Sequence, residues 1–522
     1  MSATAQARIL ITELIKAGVT DLVVSPGSRN GPISLAALAT NQIQITVRID
    51  ERSAAFTALG IAKVTKKKVA VAVTSGTAGA HLLPALIEAA QSDISLVAIT
   101  ADRPIELINT GANQTIEQLE LFSAATKNVV DLLSNWTAEM WQNELRIALK
   151  VKGVIHINPR FSEPLVPTDN WKPQDVITAI DDTDAKKSNI TRFVTGKRGV
   201  VITEGAEIDH AGEIASSLNW PLISEPAGTS IASLVTYGAL VSAKFKDNIE
   251  IVVTVGRVGL SRRINSLINS KPRISVKTPT KLTNIDALYV SAGEVDTKDL
   301  HAIGHEWLNR WTDESDAFVR IINQVIDDAP LSGLSVASSL FSNLKSSNHL
   351  HAAASLSLRD LDFLMQPNSI GLITSNRGVN GIDGITATAT GAALAWQRKG
   401  NGQSYCLLGD VALLHDLSSL TIPSTEKFPD LRLVIVDNNG GGVFHTIEQR
   451  GVSGFERVFG TPHKADLKSL LMGLDIPVTE VTNKSELSKI YQSHSGLSAI
   501  LISGVDREIE ADLRKQITNL VS

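Results

Sequence analysis

The chain carries a single cysteine, Cys406, among 522 residues. One thiol excludes an internal disulfide framework and any metal site built on several cysteines. Cys406 lies in an apolar run and is expected as a small buried hydrophobe. Excess charge of one sign is also scarce. The net charge is −5 with no long acidic or basic block, which leaves no electrostatic footprint for nucleic acid or an anionic membrane surface. The one dense basic run, Lys66-Lys67-Lys68, precedes an apolar strand pattern and reads as a solvated loop. No apolar stretch approaches the roughly 20 residues that span a bilayer. The N-terminus lacks a charged-then-apolar signal pattern. Ala5 to Ala17 reads instead as an amphipathic helix, with Ile9, Leu10, Leu14 and Ile15 among its apolar positions. The cytoplasm is the expected location. Two nucleotide-binding fingerprints are missing as well. Gly256-Arg-Val-Gly259 has only part of a G-x-G-x-x-G turn, and Gly76 and Gly79 lack the Lys-Ser/Thr of a P-loop.

What is present is a series of short, continuously apolar runs, each followed by a helical pattern. They are Leu22–Val24, Val69–Val73, Leu96–Ile99 and Val154–Ile157; then Val200–Thr203, Ile249–Val255 and Arg273–Val276; then Gly371–Thr374, Tyr405–Leu408, Leu431–Val436 and Ala499–Ile502. Continuous rather than alternating hydrophobicity marks strands buried on both faces, hence α/β units with doubly wound parallel sheets. The length requires several domains. Linker-like stretches at Pro164–Ser188 and near Ala329–Ser335 divide the chain into units at about 1–180, 185–330 and 335–522.

In open parallel sheets, ligands sit where strands end and helices begin. The turns at such places are crowded here: Ser25-Pro-Gly-Ser-Arg29, Thr74-Ser-Gly-Thr-Ala-Gly79, Gly409-Asp410 and Asp437-Asn-Asn-Gly-Gly-Gly442. Asp410 and Asn438 lie about 28 residues apart, each after an apolar run. At adjacent strand ends they could offer oxygens to a hard divalent cation, with a substrate phosphate completing the shell. They could equally be a helix cap and a tight turn. Likewise Asp50-Glu51, ahead of an Ala-rich helical pattern, reads as a cap and a first-turn acid.

Gly409-Asp410 with the following Asn run resembles the metal motif of thiamine diphosphate (ThDP) enzymes, Gly-Asp-Gly followed roughly 25–30 residues later by Asn-Asn. Val411 stands where the motif has its third Gly, and the Asn pair is shifted to Asp437-Asn438 or Asn438-Asn439. The resemblance places Mg²⁺ (or Mn²⁺) on Asp410, Asn438 and the Gly440 carbonyl, with Asn439 an open alternative. It makes Glu51 the carboxylate that binds N1′ of the cofactor's aminopyrimidine and promotes its imino form.

Further stretches are similar to the menaquinone-pathway branch of the family. They are Ser25–Asn30, Arg48–Arg52, Thr74–Thr77, Thr100–Pro104, Thr110–Gln114, Asn376–Gly384, His415-Asp416, Asn439–Phe444 and Phe459–His463. That branch decarboxylates 2-oxoglutarate and adds the four-carbon unit to isochorismate by conjugate addition. The resemblance implies a pyrimidine-binding first domain, a central α/β domain and a diphosphate- and metal-binding third domain. The first domain of one chain faces the third of another, giving a homodimer or homotetramer. For the two polyanionic substrates it offers Arg29, Arg103, Arg359 and Arg377, since guanidinium suits carboxylate. Gln114, Ser28 and Ser355 are polar contacts. Ile382 supports the bent cofactor, Gly409 belongs to its cradle, and Val443, Phe444 and Ile447 wall the pocket. Two alternatives remain at this stage: another ThDP carboligase or decarboxylase of the acetohydroxyacid-synthase kind, and a non-catalytic ThDP-fold binding protein.

Overall fold

The computed structural model describes residues 1–173, 187–227, 229–492 and 494–520. The apolar runs become three sheets in which every named strand pairing is parallel. The first holds β1 (Asp21–Val24), β2 (Gln44–Val47), β3 (Val69–Val73), β4 (Leu96–Thr100), β5 (Val129–Leu132) and β6 (Ile155–Pro159), in the order β2-β1-β3-β4-β6-β5. The second holds β7 (Gly199–Thr203), β8 (Leu222–Ser224), β9 (Ile251–Val255), β10 (Arg273–Val276) and β11 (Tyr289–Val290), in the order β11-β10-β9-β7-β8. The third holds β12 (His349–Ala352), β13 (Leu372–Thr374), β14 (Ser404–Gly409), β15 (Leu431–Val436), β16 (Val478–Val481) and β17 (Leu497–Ile502), in the order β13-β12-β14-β15-β17-β16. Central strands such as β3, β4, β9 and β15 are buried at every residue. Each fully buried Val, Leu or Ile stabilises the fold by about 1.5–3 kcal/mol.

In each sheet the strand order reverses near the middle: between β1 and β3, between β9 and β7, and between β12 and β14. Chain leaving neighbouring strands in opposite directions opens a crevice at their carboxyl ends. The polar turns picked out in the sequence flank the first and third of these crevices.

Two compact units divide these sheets. One contains the first sheet together with Asn376–Gly400 and His415–Asp430; the other contains the second and third sheets. In the first unit the helix Glu51–Thr65 packs closely on the helix Ile385–Arg398. A Cβ on Gly60 would overlap the Thr388 carbonyl, and one on Gly391 would overlap that of Thr57. The two glycines therefore let backbone meet backbone at the crossing.

Neither linker-like stretch is wholly loose chain. Residues 174–186 of the first lie outside the described residues. Ahead of them, Asp169 pairs with Arg8, whose guanidinium lies 4.8 Å from the Trp171 ring centroid. The second is a tight connection between the helices Glu306–Asp328 and Gly333–Asn343. Leu331 and Ser332 are buried there, and Ser332 and Ser335 form a reciprocal capping box. The N-terminal helix runs Ala3–Lys16 with Ser2 as its cap, and Cys406 is buried.

Candidate cofactor and substrate site

In the first unit, the turns after β1, β3 and β4 bring three predicted residues together. Arg29, 9% exposed, donates from Nη1 to the Phe161 carbonyl at 2.9 Å, while its buried Nε has no partner. Arg103 donates to Ser75 Oγ and, at 3.3 Å, to the Gln114 carbonyl. Gln114 Nε2 donates to the Ser75 carbonyl at 3.0 Å. Burial and then the neighbouring Arg103 charge hold the Arg29 guanidinium below its usual range. Two acidic groups act the other way on Arg29: the exposed Glu163 carboxylate, 3.7 Å away, and the buried Asp102. Ser28 is exposed on the same turn as Arg29.

Glu51 is the first residue of its helix and half-buried. Asp50 is indeed the cap, accepting from the amides of Arg52 and Ser53 at 2.8 and 3.2 Å. Arg52 ties the same turn to the His415 carbonyl and to Asp416, 3.2 and 3.4 Å away. Asp416 is itself held by Thr386 Oγ1 and the Ala387 amide. Among the described residues, no hydrogen bond or ion pair joins Glu51 to the arginine cluster. Arg377 and Ile382 lie on the loop before the helix Ile385–Arg398, and Ile382 is 40% exposed. Sequence reasoning missed what anchors that loop. The buried Glu88 carboxylate, from the helix Leu83–Gln91, accepts from the amides of Gly378 and Val379, both at 2.8 Å.

In the second unit, β14 and β15 are neighbours with Gly409 opposite Val436, so Asp410 and Asp437 leave adjacent strand ends. Asp410, 1% exposed, accepts from the Gly440 amide at 2.6 Å and lies 3.0 Å from His463 Nε2. Burial pushes its carboxyl up, and the Asp437 charge pushes the same way. Asp410, Asp437 and His463 present ligand atoms within 4.8 Å of one another, the one such group among the described residues. Asn438 Oδ1 is buried with no hydrogen-bond partner. Asn439 is exposed, and its oxygen already accepts from the His463 amide at 3.0 Å. Between the two amides left open by the sequence, Asn438 is thus the one with a buried, unengaged oxygen. These donors fit a hard cation: crowded carboxylate, an orphaned amide oxygen, and a turn whose Gly440, at φ 129°, only glycine adopts readily.

Val443, Phe444 and Ile447 are half-buried beside this turn, in and just after the short 3₁₀ segment Gly442–Thr446. Ser355 immediately precedes the helix Leu356–Phe363, which begins beyond β12, without a side-chain capping bond, and the exposed Arg359 donates to the Ala354 carbonyl at 3.4 Å. Both lie at the crevice between β12 and β14, on whose other side Asp410 stands. The sequence pattern assigns no ligand role to His463 or Asp437, although both stand beside Asp410. The second sheet's crevice is different. There the amides of Gly259 and Leu260 are taken by the Glu225 carboxylate at 2.8 and 2.7 Å, where an anion would sit in a dinucleotide fold.

Parallel sheets with polar turns at their strand ends and a glutamate heading a helix of the first sheet fit the fold of a thiamine diphosphate enzyme. Residues 5–121 match the family model of the thiamine pyrophosphate enzyme N-terminal TPP-binding domain. Over nearly its full length the chain is similar to three proteins named 2-succinyl-5-enolpyruvyl-6-hydroxy-3-cyclohexene-1-carboxylate synthase. The one from Thermobifida fusca is 35% identical, over 99% of both chains. The one from a Nocardioides species is 34% identical over 99% of this chain and 98% of its own. That from Saccharopolyspora erythraea is 33% identical over 98% and 96%. The chain belongs to this synthase family.

Proposed function

We propose that the protein carries out the synthase reaction of menaquinone biosynthesis, decarboxylating 2-oxoglutarate and adding the four-carbon unit to isochorismate. When bound, ThDP supplies the electron sink that lets a 2-oxoacid lose carbon dioxide. Glu51 shares a proton with N1′ of the aminopyrimidine. Asp410, the Asn438 side chain and the Gly440 carbonyl would hold Mg²⁺ or Mn²⁺, whose charge would neutralise the diphosphate, and Gly409 would belong to the same cradle. Ile382, Val443, Phe444 and Ile447 exclude water around the reacting atoms. Arg29, Arg103, Arg359 and Arg377 bind substrate carboxylates, aided by Ser28, Gln114 and Ser355.

The observation that carries the cofactor reading is the buried Asn438 oxygen without a donor, two residues from the Gly440 amide that binds Asp410. The arginine cluster supports anionic substrates and disfavours a pyruvate-specific carboligase. The active unit is a homodimer or homotetramer in which the first sheet of one chain and the third of another share a cofactor. No helix among the described residues is long and apolar enough to cross a membrane, and we place the enzyme in the cytoplasm.

The test is isochorismate consumption with ThDP, Mg²⁺ and 2-oxoglutarate, omitting each in turn. Loss that requires all three, with a succinyl adduct of the right mass, is the expected result. Carbon dioxide release from another 2-oxoacid without isochorismate loss would replace the substrate assignment while keeping the ThDP chemistry.

A further inference from the structure

An amide can ligate a cation only if its oxygen, not its nitrogen, faces the ion. Asn438 lies on a turn, and nothing in its own backbone fixes which way its amide is flipped. The structure shows what does. Asn438 Nδ2 donates to Glu510 Oε2 at 3.2 Å, and Glu510 is 2% exposed on the C-terminal helix Arg507–Asn519. An ionised carboxylate only accepts, so it selects the nitrogen and leaves Oδ1 on the opposite side. Room for this arrangement comes from Gly442, where a Cβ would fall 2.5 Å from Asn438 Nδ2.

Glu510 is itself held by two further donors. Its Oε1 accepts from the Gly333 amide at 2.7 Å. Arg514, one turn along the helix, reaches Oε1 at 3.5 Å and forks onto Asp360 at 2.8 and 2.7 Å. Asp360 adjoins Arg359. A Cβ on Gly333 would fall 2.5 Å from Asp360 Oδ2 and 2.9 Å from Glu510 Oε1, so glycine there admits both carboxylates. We propose that Glu510 is a positioning residue for the metal site: it orients the Asn438 amide so that Oδ1 faces the cation, and the Arg514–Asp360 pair holds it in place. This rests on the reading of Asn438 as a metal ligand.

The test measures Mn²⁺ binding by electron paramagnetic resonance, at saturating ThDP and without substrates. Glu510→Gln keeps the shape but supplies an NH₂ that can also donate to Asn438 Oδ1, so the amide loses its preferred orientation. The expected Kd rises about tenfold, as for other groups that orient a ligand. In an Asn438→Asp background both outer atoms are oxygens and orientation is irrelevant. There, Glu510→Gln should not raise the Kd and should relieve repulsion between two carboxylates. An unchanged Kd in Glu510→Gln would overturn the proposal, as would an equal weakening in both backgrounds. Loss of cooperative unfolding in the Glu510→Gln apoprotein would also count against it, by making the carboxylate a folding element first. Asn438→Ala separates the two readings. If it leaves Mn²⁺ binding unchanged, the ligand assignment fails. If it weakens binding while Glu510→Gln does not, only the role of Glu510 fails.

Discussion

The first and third sheets place opposite charges on the same piece of topology. Both reverse strand order near the middle of the sheet, and both gather polar turns at the crevice that results. At the first, Arg29 and Arg103 crowd together and the charge of one disfavours the other. At the third, Asp437 disfavours the ionised form of Asp410. Burial is the larger cause at both, and the like charge adds to it; an anion at the first crevice and a cation at the third would offset both. The second sheet shares the topology, but Glu225 already fills its amide-lined turn. Topology provides three crevices, and the side chains at the strand ends decide what each receives.

The strongest way to break the comparison is Glu51→Gln, which alters neither charge cluster. Turnover should fall about 10³-fold, within the range for removing a positioned proton-transfer group. Calorimetric affinity for ThDP with Mg²⁺ should change by only a few-fold. A variant with near-normal turnover would remove Glu51 from the chemistry.

The next effect concerns stability in acid. His156 on β6 packs edge-on against Phe122, with Nε2 2.7 Å from Thr100 Oγ1. Burial lowers its pKa from 6.5 to about 4. The unfolded chain therefore binds the extra proton between those values, so the contribution of His156 is full above pH 6.5 and is lost as pH falls toward 4. Two to three pH units correspond to about 3 kcal/mol. In the third sheet, His349 on β12 is pushed down further, to about 3. Hydrogen exchange at pH 7 and 4.5 should show the first sheet losing protection, and His156→Gln should flatten that loss without altering the third sheet. Equal flattening of both sheets would mean that the two units do not open separately.

How much of this was legible follows from position in the sheet. β3 and β15 are legible to the residue because they are central parallel strands buried at every position; β10 is legible to the residue too, although Arg273 and Ser275 alternate with its apolar residues. The runs missed were mostly edges: β2, β5, β11 and β16 are half-exposed, and β8 is only three residues long. β12 is central and was still missed, because His349 and His351 interrupt its apolar pattern although every residue is buried. The same divide holds for the site. Local turn chemistry and spacing mark Asp410, Asn438 and Glu51 in the sequence. Glu510 and Glu88 carry no such mark, because they reach their loops from helices 72 and 290 residues away, and nothing local to them records that.

A smaller effect should separate the two charge clusters directly. Arg103→Ala removes a charged donor from the first sheet's crevice, where a charge-assisted hydrogen bond contributes about 1.5–3 kcal/mol. The KM for an acidic substrate should rise roughly tenfold to a hundredfold, with the Mn²⁺ Kd unchanged. A parallel loss of metal affinity would show that the clusters are not independent.

The smallest expected effect concerns the loop that carries Arg377. Glu88 binds two successive amides with its two oxygens, and Lys63 lies 3.8 Å from that carboxylate. Gly378 passes so near that a Cβ would fall 2.8 Å from Ser92 Oγ and 2.9 Å from Glu88 Oε2. Glu88→Gln keeps one acceptor and faces the other amide with an NH₂, so one of the two bonds is lost at a cost of about 1 kcal/mol. The loop should loosen without unfolding, which predicts a threefold to tenfold rise in KM for an acidic substrate, with ThDP affinity unchanged. Glu88→Ala leaves both amides and the Lys63 charge without that partner and should do more. If Glu88→Gln lowered the melting temperature by many degrees while leaving KM alone, Glu88 would be holding the fold of the first unit rather than aiming Arg377. The arginine would then owe its position to the crossing of the helices at Gly60 and Gly391 alone.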